Sequence, residues 1–344
     1  MTVLDRGLGI PTIKDVAERA GVSISAVSIY LNDKPGISRA TYERIGLAIA
    51  ELGYIPRNST RRTATNRYLS LLVEKMPLSL RVDNFYAEVT ESIQTETELL
   101  GYHLTINILN QNEMPRAIVD QHIDGVVAVG GGDITDELLV QISNHNTPLI
   151  AVDNLCLLQD IDSVMGDNVR GAYLATQHLL GLGHRRIAII RGPVKYKPLT
   201  ERYYGYMRAM LEAGIMPDES LIQNPLSHGI LRKGYLEIEN LMRTKNPPTA
   251  IFAVTDRTAL GAMDYLKEQE FRIPEDISIA SFDDIRPDAY SHPALTTVSI
   301  DRHEMGRLAV RRLHERIQSP TLKPVKFVMY PRLVVRDSTA PLKG

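Results

Sequence analysis

The chain has 344 residues and a mass of 38.4 kDa, a length that suits two or three compact units. Hydrophobic residues make up 44% and charged residues 23%, which excludes wholesale disorder. The single cysteine, Cys156, excludes an intrachain disulfide, and no apolar run approaches the roughly 20 residues that cross a bilayer.

The amino terminus and the charge distribution bear on location and partners. The first residues, MTVLDRGLGIPTIKD, lack the basic start and continuous apolar stretch of an export signal, so a cytoplasmic protein is expected. The net charge of -2 argues neither for nor against a nucleic-acid partner. Residues 1–66, however, hold nine Lys or Arg against six Asp or Glu, which makes this segment +3 and leaves the remainder at -5.

Residues 1–56 are predicted to form three short helices around one small core. Thr12 can cap the first helix and Gly21 can end it, while Ser23 and Ser38 can cap the second and third helices. The second helix, SISAVSIYLN, turns polar and apolar side chains outward on the face away from the core: Ile24, Ser25, Ser28, Ile29 and Asn32. An all-α helix-turn-helix head is the expected fold, and a small bundle that packs on another protein is the alternative.

Residues 57–67 are predicted to be a linker. The run from 56 to 67, PRNSTRRTATNR, has four arginines, no acid and no large apolar side chain. Such a segment cannot bury enough surface to fold alone, so a partner is expected to order it.

From Tyr68 onward, short apolar runs alternate with helical stretches. The runs YLSLLV, YHLTINIL, IDGVVAV and TPLIAV form one series, and RRIAII, TAIFAV, ISIASF and LTTVSI form a second. This alternation is typical of parallel βαβ units and predicts two α/β lobes with a cleft between them. A helix from about His303 to Gln318 and one strand, PVKFVMYPRLVV, are expected to close the core.

Several segments together resemble the lactose/galactose repressor (LacI) family of bacterial transcription regulators. The head segment TIKDVAERAGVSISAVSIYLNDKPGIS and the core segments HLLGLGHRRIAIIRGP, FAVTDRTALGAM and IASFDDI carry the resemblance. It implies a helix-turn-helix head and an α/β two-lobed periplasmic-binding-protein-like core at 68–340. Lobe 1 is expected at about 68–168 and 301–324, and lobe 2 at about 169–300 and 325–340.

The resemblance implies a homodimer that binds double-stranded operator DNA and usually represses transcription. Each head would place one helix in the major groove, with Ile24, Ser25 and Ile29 as base contacts. Hydroxyl and amide groups would contact the DNA backbone: Thr12, Ser23, Ser28, Asn32, Ser38 and Tyr42. Ile29 departs from the family's frequent polar or basic residue and offers apolar contact only, for instance to a thymine methyl.

The linker would form a minor-groove hinge helix on DNA. Thr63 stands where relatives usually present a leucine that wedges between base pairs, and it is a poorer wedge. Either the DNA bends less, or Arg61 and Arg62 hold the hinge by phosphate and minor-groove contacts, which predicts stronger salt dependence than in leucine-hinged relatives.

Residues that match the family's effector pocket are Glu74, Phe85, Tyr86, Asp153, Arg202, Thr255 and Asp283. Arginine and carboxylates can pair with adjacent hydroxyls, and aromatic faces can cover a sugar ring. The alternative for each residue is a helix cap or a surface ion pair. Tyr196 stands where the purine-sensing branch has an arginine, which favours a saccharide over a nucleobase.

Other chemistry has little support in the sequence. VGGGD at 129–133 lacks phosphate-loop spacing, and Asp133 is expected to occupy the anion position at the next helix. The histidines show no HxxxH pair, so neither a metal nor a cofactor is predicted, and the absence of a GxSxG elbow argues against an enzyme. A solute-binding receptor and a nucleoside- or purine-responsive regulator are the alternatives to a sugar-responsive repressor.

Overall fold

The computed structural model of the chain describes residues 11–31, 36–52, 67–74, 84–109, 114–120, 122–226, 233–285 and 291–343. The chain divides into two compact units between Thr65 and Asn66, which lies inside the linker expected at 57–67. Each unit has its own buried core.

The first unit contains the three expected helices, α1 (Ile13–Ala20), α2 (Ile24–Leu31) and α3 (Arg39–Leu52). Gly21 ends α1 in the left-handed conformation, at φ 62°, which disfavours a side chain at this position. The helices share a minimal core of small and medium side chains: Val16, Ala17, Ala20, Val27, Ile45 and Ala48. The prediction of an all-α helix-turn-helix head is confirmed.

The second unit alternates strands and helices. Its strands are β1 (Tyr68–Val73), β2 (His103–Ile108), β3 (Gly125–Val129), β4 (Leu149–Val152), β5 (Asp162–Gly166), β6 (Ile187–Ile190), β7 (Ile222–Gln223), β8 (Ala250–Ala253), β9 (Ser278–Ala280), β10 (Thr297–Ser299), β11 (Lys326–Met329) and β12 (Arg332–Val334). Its helices are α4 (Asn84–Leu99), α5 (Arg116–Val119), α6 (Asp136–Asn144), α7 (Asn168–Gly181), α8 (Lys197–Glu212), α9 (Tyr235–Met242), α10 (Asp256–Glu268) and α11 (Arg302–Gln318).

Two parallel sheets define the two lobes. Lobe 1 has the strand order β11-β5-β4-β3-β1-β2, and lobe 2 has the order β7-β6-β8-β9. The central strands are buried on both faces because helices cover both sides of each sheet. Strands β10 and β12 form a separate antiparallel pair, which a bridge between Ala280 and Thr296 joins to the edge of lobe 2. The prediction of a two-lobed α/β core is confirmed.

The carboxyl-terminal strand differs from the prediction. The run PVKFVMYPRLVV forms two strands, because β11 pairs in parallel with β5 in lobe 1 while β12 pairs with β10. The chain therefore leaves lobe 1 after Met329, and the lobe boundary expected at 324/325 is wrong by one strand. Strand β5, which the apolar runs did not predict, supplies the partner that holds β11 in lobe 1.

Parallel strands direct their carboxyl ends to one edge of each sheet, and the loops that follow those ends carry the polar groups of the cleft. Glu74 follows β1, Asp153 follows β4, and Asp283 lies shortly after β9. Helix α11 packs against α4 and against the strands of lobe 1, so its first residue, Arg302, lies close to these loops. The topology therefore places the predicted effector residues at one level of the core.

Candidate functional site

Helix α2 presents the outward face that the sequence predicts. Thr12 begins the preceding helix with a reciprocal cap, in which its amide donates to Asp15 Oδ2 (2.7 Å) and its Oγ1 accepts from the Asp15 amide (3.4 Å). Ser23 caps α2 by accepting a hydrogen bond from the Ala26 amide (3.1 Å). The caps and the turn at Gly21 fix the direction in which α2 leaves the core.

The predicted DNA contacts that the structure describes are either exposed or half-buried. Thr12, Ser23, Ile24, Ser25, Ser38 and Tyr42 are exposed, with Ile24 at 47%. Ser28 and Ile29 are half-buried, and the end of the Ile29 side chain lies near Gly36 in the turn before α3. The remaining predicted contacts, Asn32, Arg61, Arg62 and Thr63, lie outside the described residues.

Four of the predicted effector residues meet between the lobes. In lobe 1, the Tyr86 hydroxyl donates to Asp153 Oδ2 (2.8 Å). In lobe 2, Arg202 Nη1 donates to Asp283 Oδ1 (2.8 Å) and to the Val254 carbonyl (2.7 Å). Together with Asn168, whose Oδ1 accepts from Arg202 Nε (3.0 Å), these side chains form what we call the interlobe cluster: Tyr86, Asp153, Asn168, Arg202 and Asp283.

Aromatic rings line the cluster on two sides. The Arg202 guanidinium lies 3.7 Å from the centre of the Phe282 ring, a distance at which the two form a cation–π interaction. Phe85 is buried and packs edge-to-face on Tyr86, with ring centres 5.2 Å apart. Phe85 thus supports Tyr86, while Phe282 supports Arg202.

The electrostatics of the cluster centre on Asp153. Burial raises the pKa of Asp153 from 3.8 to about 7, although the Arg202 charge and the Tyr86 hydrogen bond lower it. The charges of Asp283 and Glu201 add to the increase in the pKa of Asp153. A carboxyl group with a raised pKa takes up a proton more readily than an exposed aspartate, and once protonated it can donate as well as accept a hydrogen bond.

Glu74 and Thr255, which were also predicted to line the effector pocket, bond to backbone amides and not to side chains of the interlobe cluster. Glu74 Oε1 accepts hydrogen bonds from the amides of Asp133 (2.7 Å) and Ile134 (3.2 Å), and from the Gly132 amide. Burial raises the pKa of Glu74. Thr255 caps α10 by accepting from the Thr258 amide (3.3 Å). Their direct contact with an effector stays a prediction.

The loop VGGGD is an anion-binding turn, but the anion differs from the one expected. The carboxylate of Glu74, not that of Asp133, takes the hydrogen bonds of the loop amides. Asp133 instead accepts from Lys195 Nζ (2.7 Å) in lobe 2, and this hydrogen bond raises the pKa of Lys195. Glu74 reaches the loop because strands β1 and β3 are neighbours in the sheet, so the residue after β1 lies beside the loop after β3.

Lys195 belongs to a second set of contacts between the lobes, which we call the interlobe clamp. It contains Lys195, Tyr196 and Lys197 of lobe 2 and Gly132, Asp133 and Asp136 of lobe 1. Lys197 Nζ contacts the Asp136 carboxylate and the Leu155 carbonyl, and the Tyr196 ring lies directly over Gly132. A Cβ atom at position 132 would lie 2.2 Å from Tyr196 Cε1, so only glycine fits.

Sequence reasoning missed Asn168, Phe282 and Arg302. Asn168 begins α7 and Arg302 begins α11, where a polar residue is ordinarily taken for a part of the helix start. Phe282 could have been found from its place in the sequence, because it directly precedes the predicted site residue Asp283. An aromatic side chain beside a site carboxylate is often part of the same binding site.

Metal and membrane sites find no support in the part of the chain that the structure describes. Within those residues, no group of three or more His, Cys, Asp or Glu side chains could hold a metal ion. None of the described helices is both long enough and apolar enough to span a bilayer.

Comparison with known proteins gives matches over nearly the whole chain. The family model of bacterial regulatory proteins, lacI family, matches residues 12–57, and the periplasmic binding protein-like domain matches residues 176–339. The HTH-type transcriptional repressor PurR of Vibrio atlanticus (strain LGP32) is 31% identical over 339 residues, which cover 96% of this chain and 99% of that protein. The HTH-type transcriptional repressor CytR of Escherichia coli (strain K12) is 30% identical and is covered to 97%, with 96% of this chain aligned.

Solved structures agree with the sequence relatives. The complex of the transcriptional regulator CelR with cellobiose has a TM-score of 0.72 and 31% identity, and the alignment covers 95% of this chain and 99% of that chain. The lac repressor dimer bound to operator and the anti-inducer ONPF has a TM-score of 0.69 and 25% identity, with coverage of 96% and 100%.

Proposed function

The chain belongs to the lacI family of bacterial regulatory proteins, and from this premise we propose that it is a DNA-binding transcriptional repressor controlled by a small molecule bound between its lobes. It acts as a homodimer on double-stranded operator DNA in the cytoplasm and is not an enzyme. The observation that carries the proposal is the interlobe cluster, where groups from both lobes converge in a chain that also carries an exposed helix-turn-helix.

In the head, α2 is proposed to enter the major groove. Ile24 and Ser25 are exposed on one face, and Ile29 lies one turn beyond Ser25, so the three side chains can follow successive base edges. The hydroxyls of Thr12, Ser23, Ser28 and Ser38, together with Asn32 and Tyr42, suit phosphate contacts. Arg61, Arg62 and Thr63 are proposed to form the hinge contacts in the minor groove.

The interlobe cluster suits a saccharide. Arg202 offers donors, Asp283 offers acceptors, and Asp153 can act as either once it is protonated. Adjacent sugar hydroxyls need both roles within a short distance, and the ring of Tyr86, which is only half-buried, can cover the apolar face of a sugar. Glu74 and Thr255 would shape the cleft from behind, by holding the loop at 132–134 and the start of α10.

Control of DNA binding follows from the position of the cluster. A ligand that contacts Tyr86 and Asp153 in lobe 1 and Arg202 and Asp283 in lobe 2 stabilises one relative arrangement of the lobes. Because the ligand binds that arrangement better, it shifts the population of lobe angles and with it the spacing of the paired linkers.

The proposal is tested with the full chain and the DNA upstream of its own gene. Fluorescence anisotropy measures binding of that DNA with and without D-ribose, D-glucose, cellobiose or adenosine. Binding of the DNA, with a change caused by one of the sugars, is the expected result. Failure to retain any upstream fragment under all these conditions overturns the repressor function, and a response to adenosine alone overturns the sugar class.

Substitutions in the interlobe cluster test the site itself. Arg202→Ala is expected to weaken sugar binding by at least about tenfold, because a charge-assisted hydrogen bond is lost. Asp283→Ala has the same expected effect, and both variants keep operator affinity. Arg208→Ala is the matched control, since Arg208 lies on α8 in an exposed pair with Glu212 and should change neither binding step. A sugar affinity unchanged by Arg202→Ala removes this residue from the site.

The proposed lack of enzyme activity has its own test. The purified chain is incubated with each sugar, and the mixture is analysed by chromatography. Only unchanged sugar is expected, and a new product that depends on the chain overturns this part of the proposal.

A further inference from the structure

The turn that carries Asp283 into the cleft has strained backbone. Asp283 has φ 126° and Asp284 has φ 56°, values that residues other than glycine rarely adopt. Such conformations persist only where the surrounding structure holds them. Strand β10 and the residues after β12 contribute contacts of this kind. The Asp283 amide donates to the Val298 carbonyl (2.9 Å), the Asp284 amide to Thr297 Oγ1 (3.4 Å), and Arg336 Nη2 to Asp284 Oδ1 (2.6 Å).

Arg302 holds the same turn from lobe 1. Its Nη1 donates to the Asp283 carbonyl and its Nη2 to the Asp284 carbonyl (3.0 Å). The third nitrogen, Nε, donates to Glu88 Oε2 on α4 (2.8 Å). The side chains of Arg302 and Glu88 are only 11% and 12% exposed, so solvent screens these contacts weakly.

The shape of the guanidinium explains why arginine occupies this position. Its donors form a rigid planar fork, so one side chain can contact two successive carbonyls and a carboxylate at the same time. A lysine has the same charge but no fixed fork, and it cannot hold the two carbonyls in a set orientation. The arrangement therefore depends on geometry as well as on charge.

We infer that Arg302 is a positioning residue for effector recognition: it fixes the strained turn at Asp283 and Asp284 against helix α4, so that the Asp283 carboxylate faces Arg202 and the cleft. The inference rests on the proposed function, because it assigns Arg302 a part in binding the effector. A displacement of the turn on ligand binding would reach Glu88 through the same side chain, which makes Arg302 a link from this turn in lobe 2 to helix α4 in lobe 1.

The alternative is an ion pair that stabilises the fold without affecting recognition. Arg302→Lys separates the two, because lysine preserves the buried positive charge near Glu88 and loses the fork. If charge alone matters, lysine rescues the function that Arg302→Gln loses. If the fork positions Asp283, lysine does not rescue it.

The experiment compares the full chain with Arg302→Lys, Arg302→Gln and the control Arg307→Lys. Arg307 lies on the same helix and pairs with Glu304 at the surface. Calorimetry measures the affinity for D-ribose, D-glucose and cellobiose, and hydrogen exchange without ligand follows the amides of residues 283–285. Both Arg302 variants are expected to bind sugar at least about tenfold more weakly, the effect of losing one hydrogen bond to a charged group, and to exchange faster at 283–285. The control is expected to match the parent chain in both.

The outcomes separate this inference from the proposed function. Wild-type affinity and wild-type exchange in Arg302→Lys overturn the inference while the sugar response of the parent chain stands. If no sugar binds the parent chain, the effector class is wrong and the exchange at 283–285 alone decides the role of Arg302. Should Arg302→Lys fail to fold, Glu88→Gln replaces it, and unchanged exchange and affinity in that variant overturn the inference.

Discussion

Asp153 is the residue whose chemistry depends most on its surroundings. It is buried between the lobes, has a positive φ of 53°, and accepts a hydrogen bond from Tyr86. In an unfolded chain its carboxyl group would ionise near pH 3.8, whereas burial raises the pKa to about 7 in the folded protein. A group placed this way links the binding site to the stability of the whole core.

The first prediction follows from the sign of that shift. Between about pH 4 and about pH 7 the folded state holds a proton on Asp153 that the unfolded state has lost, so the free energy of unfolding falls as the pH rises through this range. The pKa difference of about three units corresponds to about 4 kcal/mol at most. Asp153→Asn removes this loss and is expected to unfold at higher urea concentration than the parent chain at about pH 8.

The measurement is urea unfolding followed by circular dichroism at several pH values. The difference in midpoint between Asp153→Asn and the parent chain is expected to grow from about pH 5 to about pH 8. A constant difference across this range shows that Asp153 is ionised throughout in the folded protein and contradicts the prediction.

At the scale of elements, helix starts and loop contacts decide how the sites are presented. The cap at Thr12 begins the helix that sets the direction of α2, and Glu74 holds the loop at 132–134 against which lobe 2 rests. The Thr12 cap and the Glu74 contact are local hydrogen bonds that also affect distant residues. The cap orients the helix that is proposed to contact DNA, and Glu74 orients the loop that contacts lobe 2.

Thr12→Ala tests the cap. It removes the hydroxyl that accepts from the Asp15 amide, and its expected effect on the head is a loss of about 1 kcal/mol. Thr12→Ser keeps the oxygen and should preserve the stability. Hydrogen exchange of the α1 amides measures the difference in the full chain, and equal protection in the two variants excludes a stabilising role for the cap.

Gly132→Ala tests the contact between the loop and lobe 2. The added Cβ would overlap the Tyr196 ring, and Glu74 prevents the loop from moving away, so the lobes are expected to separate and sugar affinity to fall by at least about tenfold. Gly181→Ala is the control, since a Cβ there meets open space. The double variant Gly132→Ala with Tyr196→Ala restores the space and should recover the affinity for sugar. If the affinity does not recover, the defect lies in the loop and not in its contact with Tyr196.

At the scale of the whole molecule, charge separates the two functions. Residues 1–66 carry +3 and the remainder carries -5. A cationic segment attracts the phosphate backbone, while the anionic remainder is not drawn to DNA. The chain therefore directs its DNA contact to one end without a net positive charge overall.

The salt dependence of operator binding measures this contact. Each phosphate neutralised by an arginine adds about 0.9 to the slope of log affinity against log salt concentration. Arg61→Ala and Arg62→Ala are each expected to reduce that slope by about 1. The control is Arg272→Ala in the core, where Arg272 is exposed and pairs with Asp276, and it should leave the slope unchanged. Equal slopes for all four proteins place Arg61 and Arg62 away from the DNA.

Thr63→Leu tests the hinge position that departs from the family. Leucine is a better wedge between base pairs, so a larger DNA bend and tighter operator binding are expected. Gel mobility of circularly permuted operator fragments measures the bend. If neither the bend nor the affinity changes, position 63 has no part in the hinge.

The sequence alone determined the elements whose signals are local. Helix caps at Thr12, Ser23 and Ser38 and the alternation of apolar runs predicted the head and the two-lobed core, because capping and burial periodicity act within a few residues. Only the tertiary structure decided which distant groups meet. It sent Glu74 to the loop at 132–134, divided the final run between two sheets, and brought Arg302 to the turn at Asp283. These contacts join residues far apart in the chain, and strand order, which no local pattern encodes, sets which of them become neighbours.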